Sequence, residues 1–101
     1  MQQLSAAPIM ARFFMKEVAI LDSRVAVIAI IVENIEKASE VNNILHEHAG
    51  FIIGRMGLPC RNRGISIISV VVDAPHDSIS ALSGKIGRVE GVSAKTVYSK
   101  N

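Results

Sequence analysis

Two stretches of this chain, Arg24 to Val32 (RVAVIAIIV) and Gly64 to Val72 (GISIISVVV), are apolar at odd and even positions alike. A strand sends alternate side chains to opposite faces, so strands of this kind need apolar company on both sides of their sheet. Neither run approaches the ~20 residues that a helix needs to cross a bilayer. Both are rich in β-branched residues, which favour a pleated surface. They predict two central strands of one sheet. The chain has 101 residues, half of them apolar, which is enough for one domain with a core of its own.

The remaining segments assemble around these two. Asn34 is placed to cap a helix opened by Glu36 and Lys37, with Ile35, Ala38, Val41, Leu45 and Ala49 recurring at helical spacing, Ile44 beside them, and Gly50 as its stop. Phe51 to Pro59 (FIIGRMGLP) reads as a strand interrupted by Gly54 and Gly57, and Pro59, which lacks a donor, assigns it to an edge. Across the turn Cys60–Gly64 this strand forms a hairpin with Gly64–Val72. Asp73, Ala74 and Pro75 are expected to break that strand, and His76 and Asp77 to begin a second helix, whose buried stripe is Ile79, Leu82, Ile86 and Val89. Gly84 and Gly87 each weaken a helix by roughly 1 kcal/mol relative to Ala, which predicts close packing on the sheet at those points. Gly91 ends the helix, and Val92 to Tyr98 (VSAKTVY) is the last strand. Residues 1–22 differ in character and form an N-terminal extension, with a helical turn expected near Ala11 to Glu17; residues 23–101 form the domain.

The order β-α-β-β-α-β predicts an α+β ferredoxin-like sandwich, a four-stranded antiparallel sheet with two helices on one face. Right-handed crossovers place the two most apolar strands in the middle and the Gly/Pro-marked and Lys95-bearing strands outside. Two helices cover one face only. The other face stays apolar, and a soluble monomer tolerates only a few hundred Å² of such surface. Homo-oligomerisation through the sheet, as a dimer or tetramer, is the simplest cover, with Val25, Val27, Ile28, Ile30, Ile65, Ile67, Ile68 and Val70 as expected interface residues. The alternative cover is the chain's own extension, through Phe13, Phe14 and Met15.

Chemistry-bearing residues are few. Charge is nearly balanced, with 11 Lys+Arg against 9 Asp+Glu, and the central strands carry no aromatic residue, so direct nucleic-acid binding is not expected. No acidic residue stands between Glu47 and Asp73, and Arg55, Arg61 and Arg63 fall in that gap. Guanidinium forks match carboxylates and phosphates. On the residues alone, a solvated hairpin and a purely structural kink at Gly54, Gly57 and Pro59 are open alternatives. His46, His48, His76 and Cys60 follow no metal-ligand spacing, and no metal, cofactor or catalytic residue is assigned. An Arg/Asn pair of the kind that acylphosphatases use exists in Arg55 and Asn62, without the surrounding loop pattern. A lone cysteine and the lack of a signal-like or membrane-spanning block are expected of a cytoplasmic chain.

Four segments together, VAVIAIIVEN, FIIGRMGLP, GISIISVVVDA and ALSGKIGRVEGVSAKTVYSK, resemble a small bacterial family of iron-only (FeFe) hydrogenase system regulators over residues 24–100. That family is similar to ACT domains and to the C-terminal domain of the nickel-responsive repressor. The resemblance implies an oligomeric, non-enzymatic regulatory module that acts through ligand sensing or partner contact. Ligands of ACT-like modules lie at subunit or strand–helix junctions, so the resemblance implies a candidate ligand cleft formed by Asn34 and Ile35, the strand residues Gly54, Arg55, Met56 and Pro59, and the turn residues Arg61 and Arg63 of a neighbouring copy. A pure assembly module without ligand, or a metal sensor like the nickel repressor, are the alternatives.

Overall fold

Apolar, β-branched runs become strands here and the helical stripes become helices, in the expected order. The computed structural model describes residues 22–100. Apart from Asp22, the expected extension, its helical turn and the fold-back of Phe13, Phe14 and Met15 lie outside the described residues. The elements are β1 (Ser23–Val32), α1 (Ala38–Glu47), β2 (Ile52–Cys60), β3 (Ile65–Pro75), α2 (His76–Gly87) and β4 (Val92–Tyr98). The strands form one antiparallel sheet in the order β2-β3-β1-β4. This is the α+β ferredoxin-like arrangement, with the two most apolar strands in the centre.

Register sorts the residues onto two faces. Ala26, Ile28, Ile30 and Val32 of β1 stand beside Val72, Val70, Ile68 and Ser66 of β3. All eight are buried beneath the helices. α1 contributes Val41 and Leu45 to this core, and α2 contributes Ile79, Leu82 and Ile86, followed by Val89. Val92, Ala94 and Tyr98 of β4 close its far side. Lys85 of α2 donates to Glu47 of α1 at 3.0 Å, and the Thr96 hydroxyl bonds the Ser83 hydroxyl at 3.2 Å, tying α2 to both neighbours.

Several local expectations are corrected. β3 continues through Asp73 and Ala74 to Pro75, because Ala74 is buried opposite Arg24 and Pro75 stands at the strand end, where its missing donor is tolerated. Asn34 does cap, its Oδ1 accepting from the Glu36 N–H at 3.0 Å, but what it caps is a 3₁₀ turn, Ile35–Lys37, ahead of α1. That turn shifts the helix phase, leaving Ile35 exposed, and Ala49 lies beyond α1 in a second 3₁₀ turn, Ala49–Phe51, instead of a stop at Gly50. Gly54 marks a bulge, since the register of β2 against β3 slips between Ile52 and Gly54. The glycines of α2 do not pack closely. A Cβ on Gly84 would meet only the Arg88 guanidinium, at 3.8 Å, and one on Gly87 would meet nothing within 4 Å. Positive φ belongs to Gly64, at 68°, in the β2–β3 turn, and to Gly91, at 75°, before β4.

Candidate functional site

The helix-free face of the sheet can be read rung by rung from the register. Gly54, Val71, Val27 and Val97 form one rung; Met56, Ser69, Ala29 and Lys95 the next; Leu58, Ile67, Ile31 and Ser93 a third. Val27 and Ile31 in the centre are each 39% exposed, and Met56, Leu58 and Val97 toward the edges are 62%, 57% and 68% exposed. Val25 and Ile67 add to the same apolar surface. The charged members stand at its margins, with Asp73 opposite Val25 at one end and Lys95 on the edge strand. Exposed apolar patches larger than a few hundred Å² are uncommon on soluble monomers.

Half of the expected interface residues do not reach this face. Ile28, Ile30, Ile68 and Val70 point the other way and are buried under α1 and α2, so a partner meeting the open sheet never touches them. The period of a strand is two, and residues one apart therefore serve opposite layers. Val25, Val27 and Ile67 are exposed on the open face, and Ile65 is half-buried opposite Cys60. Met56, Leu58 and Val97 belong to this surface and are missing from the sequence-derived set. The alternation of β2 and β4 carries the signal for them once the face is known.

The candidate ligand residues are dispersed in a single copy. Asn34 and Ile35 do meet the turn that holds Arg61 and Arg63, because the Ile35 N–H donates to the Gly64 carbonyl at 3.2 Å. Pro59 lies on the adjoining rung, paired with Ser66, which in turn pairs with Val32. Gly54, Arg55 and Met56 are further along β2. Arg55 pairs with Val70 on the helix-covered side, whereas Gly54 and Met56 pair with Val71 and Ser69 on the open side. The candidate residues thus fall into two separate groups, one at the β2–β3 turn and one around Arg55. Asn62 sits in that turn, and the partner that Arg55 takes is Asn42 of α1, whose Oδ1 accepts from the Arg55 Nη2. Asn42 was not legible as a site residue, because a polar residue on an exposed helix flank carries no motif.

At the opposite end of the sheet, the His76 ring stacks on Tyr98 with centroids 5.0 Å apart and planes inclined by 23°, and the Arg24 guanidinium lies 5.5 Å from the centre of the Tyr98 ring. This aromatic–cation group joins the start of α2 to β1 and the end of β4. Between the helices, the Lys85 hydrogen bond first, and the Lys85 charge next, hold the Glu47 carboxyl below its ordinary value of 4.5. Among the described residues, no three His, Cys, Asp or Glu side chains gather as a metal site. No helix among them is long and apolar enough to cross a membrane.

The strand order and the two helices on one face define a ferredoxin-like α+β domain. The chain belongs to the TM1266-like family, whose model matches residues 24–96 and whose description, iron-only hydrogenase system regulator, is a provisional one. Among solved structures, it is similar to TM1266 of Thermotoga maritima, described only as an uncharacterized protein, at 42% identity and a TM-score of 0.73, over 77% of this chain and 99% of that one. It is also similar to a formyltetrahydrofolate deformylase from Pseudomonas putida KT2440, at 13% identity and a TM-score of 0.57, over 76% of this chain and 29% of that one; this likeness is one of fold alone. No curated protein matches.

Proposed function

We propose that this protein is a self-associating, ACT-like regulatory module of the iron-only hydrogenase system, that two copies join through the helix-free face of the sheet, and that its output is modulated by a small effector. The family assignment supplies the system, and the open face is the observation that carries the mechanism. Four strands spaced by about 4.8 Å and seven rungs rising by about 3.3 Å give a flat projection of roughly 440 Å² per copy, or about 900 Å² for two. Side-chain relief raises this into the range of specific interfaces, ~1,000 Å² and above. A second copy fits better than a charged partner, since the central rungs present Val, Ile and Ala and keep Asp73 and Lys95 at the rim. A sheet face that meets its own image satisfies the self-complementarity of a twofold contact.

An effector would act on such an assembly by binding one associated state more tightly than the other. The residues that approach one another at the β2–β3 turn, Asn34, Ile35, Pro59, Arg61 and Arg63, lie beside the face and could couple a bound ligand to it. Light scattering over a wide range of protein concentration tests the reading. A mass of two copies or a multiple of two is expected. A single-copy mass at every concentration, from the full chain, would end it.

A further inference from the structure

Arg55 differs from the other arginines of the basic gap. Its side chain leaves β2 on the helix-covered side and is held against α1 by Asn42. Between Glu47 and Asp73 the sequence offers it no acid, and among the described residues it makes no ion pair. One N–H of the guanidinium is occupied by the Asn42 oxygen, and among the described residues the other N–H donors of the fork have no partner. The next residue of β2 on the same side is Gly57, where an added Cβ would meet nothing within 4 Å, so no neighbouring side chain of the strand crowds Arg55 from that direction. A cation that is already oriented loses less freedom when it grips an anion than one that swings in solvent.

We propose that Arg55, oriented by Asn42, receives the carboxylate or phosphoryl group of a small molecule on the flank between α1 and β2. The inference goes beyond the function proposed above, since Arg55 lies apart from the residues of the β2–β3 turn, and it names the chemistry of a ligand, an oxyanion read by a guanidinium fork. It is independent of the assembly half, because Arg55 and the open face lie on opposite sides of the sheet.

The test is a titration of the full chain with sodium succinate and, separately, sodium phosphate, at constant ionic strength, followed by backbone amide shifts. Saturable shifts that cluster at Asn42, Arg55 and Gly57 are expected with at least one anion. Saturation by succinate alone identifies a carboxylate ligand, and by phosphate alone a phosphoryl ligand. Arg55→Gln should weaken that binding by about ten- to a hundredfold, the usual effect of losing a charged hydrogen-bond partner. Arg55→Lys should also weaken it, since an ammonium keeps the charge and loses the fork. Asn42→Ala, which retains the cation, should weaken it less, and it decides the matter if the Arg55 variants fail to fold. Non-saturating shifts with both anions, or unchanged affinity in Arg55→Gln, would overturn the proposal. The mass of Arg55→Gln in solution should equal that of the wild type, so a monomeric wild type refutes the assembly and leaves the anion result to stand or fall by itself.

Discussion

Ile31→Glu on the open face is the sharpest probe of assembly. Ile31 retains 39% of its exposure in a single copy, and full burial of an Ile is worth about 1.5–3 kcal/mol, so pairing would recover roughly 0.6–1.2 kcal/mol from this side chain. The same reasoning applied to the exposed fractions of Val25, Val27, Ile31, Met56, Leu58, Ile67 and Val97 gives about 5–10 kcal/mol per copy. The pair thus gains about 10–20 kcal/mol, which association opposes once with ~4–15 kcal/mol and side-chain ordering opposes further, so the dimer's stability hangs on each central residue. The substitution acts twice, once in each copy. It removes about 2 kcal/mol of apolar burial from the pair and sets two carboxylates against an apolar surface, at several kcal/mol more. At 1.4 kcal/mol per factor of ten, the dimer dissociation constant should rise by at least about a hundredfold. Sedimentation at matched concentrations, with Ser80→Glu on the exposed side of α2 as control, reads the change. The fold of the single copy should survive, because Ile31 points away from the core. An Ile31→Glu protein of unchanged mass would refute the face as the interface.

The glycines should respond with opposite signs. Gly84→Ala in mid-α2 has room for its methyl group and should stabilise by roughly 0.5–1 kcal/mol, raising Tm by several degrees. Gly91→Ala, at φ 75°, should destabilise by about 1–2 kcal/mol. Urea unfolding at fixed protein concentration measures both, and a destabilised Gly84→Ala would mean that α2 is covered there. Glu47→Gln should be less stable than the wild type at neutral pH, because the folded-state value is depressed and that contribution exists only while the carboxylate is charged. The difference should close as pH falls below 4.5 through the folded-state value, and a gap that persists in stronger acid would contradict the Lys85 pairing as its cause.

What could be read from the residues alone follows from local rules. The doubly apolar runs Arg24–Val32 and Gly64–Val72 required central strands, and β1 and β3 are central because no other position in a sheet offers them apolar neighbours on both sides. The stripe Ile79, Leu82, Ile86 and Val89 needed only the helical period, and the order of elements with right-handed crossovers then left a single sheet order. Strand composition also foretold that one apolar face would remain open. It did not say which, because a run that is apolar at every position carries no phase, and so Ile28 and Ile31 read alike until helices are laid on one side. Tertiary structure alone decided that phase, the continuation of β3 through Ala74, the freedom around Gly84, and the meeting of Arg55 with Asn42. Each depends on segments distant along the chain coming together, and the pattern within any one segment holds no record of what will lie across from it.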